Sequence, residues 1–269
     1  MTASAAYEEV RRATRSAGSS FYRGMSILPA ERRDAIYAIY ALARRIDDIA
    51  DGDASRDAKL VQLGRVRGEL AHIHASEDPV FVAVADAASR FPIPLEAFSE
   101  LVDGAEMDTR GTTYSTFAEL ERYCRCVAGS IGRLCLGVFE TSDRTAAEPL
   151  ADDVGVGLQL GNILRDLAED RAQGRDYLPA EDVARFEGDL ALVVAFEAER
   201  ALGRLRRGLQ LLPLLDRRSA AAVLAMVDSY RRLLERIAAR PERALAARPS
   251  LPRWEKGWVL VRSLAGGVR

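Results

Sequence analysis

The sequence predicts an all-α fold, and three observations carry that reading. Ala, Leu, Arg and Glu fill long stretches. Runs of alternating β-branched residues are almost absent. Prolines fall where helices would open or break rather than inside strands. With 48% hydrophobic residues in 269, there is enough apolar material for one large core.

Pro29 opens a helix that runs through Tyr37 and Arg44 to about Asp51. Pro79 opens another, and the FPIP break at 91–94 precedes a segment from Leu95 to about Asp108. Ser115 or Thr116 caps a helix through Val138, with Glu119 as the capping-box acid if Thr116 is the cap. A further helix runs from about Ala146 to Asp170 and ends at Gly174. Asp189 to about Ala239 is a long helical region that Pro213 kinks or breaks. Trp254 and Trp258, four apart, give a short closing helix an aromatic face. No fixed-period repeat and no Ser/Gly linker divides the chain, so residues 1–269 read as a single domain.

Composition narrows the chemistry. His72 and His74 are the only histidines, which argues against chemistry built on several imidazole ligands. Cys124, Cys126 and Cys135 are odd in number and closely spaced, as reduced packing thiols are and a secreted disulfide framework is not. The N-terminal stretch lacks the apolar region of a signal peptide. The longest apolar run, Ala220 to Val227, is far too short to span a bilayer. The expectation is a soluble, cytoplasmic protein. Net charge is −2, with no nucleic-acid module in view. That total conceals a split: from residue 200 onward 15 arginines and Lys256 outnumber five acids, leaving residues 1–199 strongly acidic. The basic third reads either as solvated helix faces or as a surface for peripheral membrane contact.

Two acidic helices stand out. In Tyr40-Ala-Leu-Ala-Arg44-Arg-Ile-Asp47-Asp48-Ile-Ala-Asp51, the residues Tyr40, Arg44, Asp47 and Asp51 fall within about 60° of one another on a helix. In the stretch from Val154 to Asp170, Gln159, Asn162, Asp166 and Asp170 share about 80° of helix surface. Apolar residues cover most of the remaining circumference there, so this helix is buried. Its polar stripe must meet partners or line a cavity, because orphaned buried polar groups are costly. Asp and Asn oxygens suit Mg²⁺, which binds through one or two carboxylates together with waters and substrate phosphates. The alternative is an Arg–Asp network that joins helices. Gly155, Gly157 and Gly161 follow no strand and miss the dinucleotide spacing, so they read as points of close helix approach.

Together these stretches resemble the squalene/phytoene synthase family. Gly157 to Asp170, followed by Tyr177-Leu178-Pro179, is similar to the family's second signature. Tyr123 to Gly132 is similar to its first, with Ser130 where a less polar residue is usual. Asp47 and Asp51 match the first aspartate motif, and Ser19-Ser20-Phe21 resembles the substrate-covering segment. The resemblance implies an isoprenoid-synthase-type helical bundle around a central cavity. It also implies Mg²⁺ held by Asp47, Asp51, Asn162, Asp166 and Asp170, with Asp47 and Asp166 essential to catalysis. Ser19, Ser20, Phe21, Arg44, Gln159, Arg165 and Tyr177 would contact substrate. Tyr123 and Tyr40 are the family-matched phenols for cation stabilisation or proton relay. The stretch GSSFYRGMSILP and Glu106-Met107-Asp108 before Tyr114 favour the branch that condenses two farnesyl diphosphates to presqualene diphosphate in hopanoid-type pathways. Alternatives are a phytoene synthase acting on two geranylgeranyl diphosphates, a squalene synthase using NADPH, and an inactive helical scaffold or lipid-binding subunit. A head-to-tail synthase would share Asp47-Asp48-x-x-Asp51, but not the second stripe.

Overall fold

Several helices in this protein begin where a side chain takes up the free amides of the first turn. A computed structural model describes residues 2–16, Met25 and 28–250. Helix α1 spans Ala3–Ser16 and α2 spans Ala30–Asp51, the latter opened by Pro29. Ser55 caps α3 (Arg56–Ala71), and Asp78 caps α4 (Pro79–Arg90) with Pro79 at its first position. Helix α5 is Glu96–Arg110 and ends on Gly111, whose φ of 68° closes the helix in the left-handed region. Thr116 and Glu119 form the capping box of α6 (Phe117–Cys124). A π-turn over Arg125–Gly129 then leads into α7 (Ser130–Val138).

Asp143 caps α8, which runs from Arg144 to Ala172 and is about 43 Å long at 1.5 Å per residue. The short α9 (Ala180–Arg185) precedes α10 (Leu190–Gly208) and α11 (Arg217–Ala239). Between those last two, a 3₁₀ stretch over Leu209–Leu214 contains Pro213, so the region expected as one helix is broken into two. Helix α12 is Pro241–Ala246. The predicted segment at Trp254 and Trp258 lies outside the described residues. Helices α1 and α3 carry no capping proline of their own and were not anticipated.

Helix α8 is the axis of the arrangement. It packs against α7, α10, α11 and α12, while α2 packs against α1, α4, α5 and α7. The segment α6–π-turn–α7 lies between these groups, and one continuous apolar core runs through all of them. Close approach to α8 needs glycine: a Cβ on Gly155 would come within 2.6 Å of the Ala128 backbone in the π-turn. Gly161 leaves the space that the Tyr230 ring of α11 fills. All three cysteines are free and buried. Ser130, the departure from the first signature, is fully buried and donates its hydroxyl to the Cys126 carbonyl at 2.5 Å. Among the described residues no strand forms, and no helix is long and apolar enough to cross a membrane.

Candidate active site

The C-terminal ends of α2 and α8, the end of α5 and the loop 173–179 come together at one end of the molecule. Arg175 of that loop reaches Asp51 of α2, and Tyr177 of the same loop donates to Asp108 of α5. Asp47 stays open to solvent on one side, but surrounding protein crowds it and nearby Asp51 repels its charge. Its carboxyl is pushed up to about 7, with Arg44 pulling the other way. Across the gap, Asp170 is pushed up to about 6 by burial first and Asp166 second, with Asp108 and Asp51 adding to the effect. Two carboxylates that resist ionisation beside further carboxylates form a site that favours a cation.

Each predicted residue has a definite place. Arg44 pairs with Asp48 at 2.7 Å rather than with Asp47 or Asp51. That follows from i,i+4 geometry on the exposed face. Arg44 and Tyr40 also line a recess of about 770 Å³ beside α2, whose walls include Thr14, Gln62 and Val80. Arg165 grips Asp166 with both arms, Nε donating to Oδ1 at 2.8 Å and the terminal nitrogen to Oδ2 at 2.5 Å. Asn162 donates to Gln159 at 3.2 Å and accepts from the Tyr230 hydroxyl at 2.6 Å. The second stripe is therefore partly tied up in a protein network, as the Arg–Asp alternative has it, while Asp170 keeps its carboxyl free for the gap. Tyr123 and Tyr177 are buried beneath the carboxylates. Ser19, Ser20 and Phe21 lie outside the described residues.

Four further residues belong to this end. Arg175 reaches across to Asp51 at 3.3 Å and so bridges the two acidic walls. Arg248, from the segment after α12, donates to Asp166 at 2.9 Å. Tyr230, from α11, holds Asn162. Asp108 accepts the Tyr123 hydroxyl at 2.8 Å and the Tyr177 hydroxyl at 2.7 Å. Sequence reasoning missed Arg175, Tyr230 and Arg248 as site residues and took Asp108 only as a branch marker. The available signal for Arg175 was its place between Gly174 and the Tyr177-Leu178-Pro179 run. Arg248 had none, because its neighbours carry no periodicity.

No three of these carboxylates form a ready-made cage among the described residues. The donor set nonetheless fits Mg²⁺. It is all oxygen, it spans two walls, and burial together with charge repulsion leaves Asp47 and Asp170 in want of a counter-ion.

The site is all-helical, with two aspartate-bearing walls over buried tyrosines. The squalene/phytoene synthase family model matches residues 14–255, and the chain belongs to that family of head-to-head prenyl transferases. It is 43% identical over 278 residues to the phytoene synthase of Mycobacterium tuberculosis, covering 98% of this chain and 92% of that one. It is 38% identical over 166 residues to the presqualene diphosphate synthase of Rhodopseudomonas palustris, covering 61% of this chain and 59% of the other. A crystal structure of a dehydrosqualene synthase in complex with ligand superposes with a TM-score of 0.88 at 26% identity, covering 98% and 97% of the two chains. The all-α bundle expected from sequence is the fold observed.

Proposed function

We propose that the protein joins two allylic prenyl diphosphates head to head in a Mg²⁺-dependent reaction that forms a cyclopropyl diphosphate. The meeting of two aspartate-bearing helices above a buried tyrosine cluster carries this reading. Asp47 and Asp51 on one wall, and Asn162, Asp166 and Asp170 on the other, would hold the metal, which when bound would supply positive charge to offset that developing on the leaving diphosphate. Arg44 and Arg165 turn from their aspartates to diphosphate oxygens, with Gln159, Ser19 and Ser20 as neutral donors. Departure of the diphosphate with the C–O electron pair leaves an allylic cation. The second substrate's double bond attacks it, and loss of a proton closes the three-membered ring. Tyr177 walls the reacting chains, a role proposed also for Phe21, which lies outside the described residues. Tyr123 and Tyr40 offer ring faces and hydroxyl oxygens to the cation and the departing proton. Water must be kept out, since it would capture the cation as an alcohol.

The full-length likeness to a phytoene synthase supports geranylgeranyl diphosphate as the substrate, which exchanges the order of the two chain lengths expected from sequence. Farnesyl diphosphate, giving presqualene diphosphate, is the second reading. The shorter match to a presqualene diphosphate synthase favours it. Purified protein incubated with Mg²⁺ and either substrate, with and without NADPH, tests the proposal. A C40 product from geranylgeranyl diphosphate establishes the first reading. Presqualene diphosphate from farnesyl diphosphate establishes the second, and NADPH-dependent squalene would extend it. No coupled product from either substrate overturns both.

A further inference from the structure

Asp108 lies at the centre of a feature that the metal-site reading does not use. It sits in the last turn of α5, and two buried phenols close over it. Tyr123, from α6, donates to one carboxylate oxygen at 2.8 Å, and Tyr177, from the loop after α8, donates to the other at 2.7 Å. The two rings stack 5.4 Å apart. A third ring, Tyr114, joins them at 5.6 and 6.3 Å. Its hydroxyl is buried and has no hydrogen-bond partner among the described residues. Asp108 is within electrostatic reach of Asp47, Asp51 and Asp170, so the cluster lies just beneath the acidic gap.

The hydrogen bonds fix a polarity. A carboxylate with a donor on each oxygen is itself an acceptor only. Both phenol protons therefore point at Asp108, and the phenol lone pairs and ring faces point elsewhere. Hydrogen bonding to an anion makes each phenol oxygen and ring richer in electrons. A naked carboxylate beside an allylic cation would form an ester with it. A carboxylate one phenol away contributes the same sign of field without a reactive contact.

Resting on the proposed reaction, we infer that Asp108 is a positioning residue that serves as the insulated counter-ion of the carbocation, its charge relayed through the Tyr123 and Tyr177 phenols. During turnover the C–O bond breaks and its electron pair leaves with the diphosphate. Burial raises the Asp108 carboxyl, and the Tyr177 and Tyr123 donors and the nearby Arg175 pull it back toward the anion, which forms no bond to the cation. Its field holds the cation in the aromatic cluster until the second substrate's double bond reaches it. Tyr114, the phenol without a partner, presents its hydroxyl oxygen to the same positive charge.

The test uses the full-length protein with Mg²⁺ and inorganic pyrophosphate present. Binding of geranylgeranylamine and farnesylamine, cationic at neutral pH, is compared with binding of the uncharged prenols of the same length. The expected result for Asp108→Asn is a loss of about tenfold in the preference for amine over prenol. Asp108→Glu keeps most of that preference. In turnover, Asp108→Asn is expected to lower kcat with KM held within about twofold. A larger share of substrate ends as prenol, through attack of water on the cation and release of a proton. Wild-type amine preference together with the wild-type product ratio in Asp108→Asn overturns the counter-ion role while leaving the proposed reaction standing. Absence of any coupled product from the wild-type protein overturns the reaction and this role together. Should Asp108→Asn lose helicity, Tyr177→Phe supplies the test. It frees one carboxylate oxygen without removing charge, so amine preference persists and a prenyl ester on Asp108 appears by mass. Loss of the preference with no ester overturns the inference.

Discussion

Asp47 and Asp166 answer to the same chemistry from unequal surroundings. Asp166 is held by Arg165 and Arg248, whereas Asp47 makes no ion pair among the described residues and resists ionisation. Both Asp47→Asn and Asp166→Asn are expected to lower turnover by about a hundredfold with circular dichroism unchanged. Full activity in both variants would rule out the two-wall metal arrangement. The raised carboxyl of Asp47 also sets a pH signature. Its ordinary value is 3.8 and its folded value about 7, so between those pH values the folded protein keeps a proton that the unfolded chain has released. Metal-free stability therefore falls as pH rises through that window and levels off above it, with Asp170 contributing up to about pH 6. Thermal midpoints measured in chelator from pH 4 to 8 check this, and Asp47→Asn is expected to flatten the slope. An unchanged slope in the variant would show that another group dominates.

At the scale of elements, α9 shows how a short helix is held in register. Arg200 of α10 lies against the rings of Phe117, at 3.8 Å, and Phe196, at 4.6 Å. It pairs with the buried Asp182 of α9 and with Glu197. Ala180 and Glu181 donate backbone amides to the Tyr114 and Ser115 carbonyls. Together these contacts fix the loop that carries Arg175 and Tyr177. Arg200→Leu leaves two buried carboxylates without a cation and is expected to cost about 3 kcal/mol in urea unfolding. Gly155→Ala forces the π-turn away from α8 and is expected to destabilise by about 2 kcal/mol. These elements also mark what could be read in the sequence. The capping box, the prolines and the apolar circumference of α8 are local signals, and the structure follows them. The π-turn is not local, because it depends on where α8 crosses Ala128. Likewise Asp47 and Asp51 were legible through their spacing, but Arg175, Tyr230 and Arg248 reach the site through tertiary packing that leaves no period. Asp108 was visible as a residue, and only the two phenols folded over it disclose its use.

Across the whole molecule, charge is divided along the chain, with an acidic gap at one end of α8 and arginines crowding α10 to α12. Some of those arginines are engaged: Arg231 and Arg232 pair with Asp228, and Arg204 and Arg207 with Asp153. Arg217, Arg218, Arg240 and Arg243 lie on exposed positions of α11 and α12 or beside them. The expectation is sedimentation with vesicles containing anionic lipid, falling as salt rises from 0.05 to about 0.5 M, and little with neutral vesicles. Equal binding to both vesicle types would remove the electrostatic account.

The contact between Arg248 and Asp166 has a consequence in time as well as in space. The two residues stand far apart in the chain, so ribosomal synthesis completes α8 well before the arginine that closes over its aspartate has been made. During that interval Asp166 has only Arg165 to hold it, and the mouth of the site is one guanidinium short. The described core runs as far as Ala244, so a chain ending just ahead of Arg248 would hold every core residue described and yet leave Asp166 to Arg165 alone.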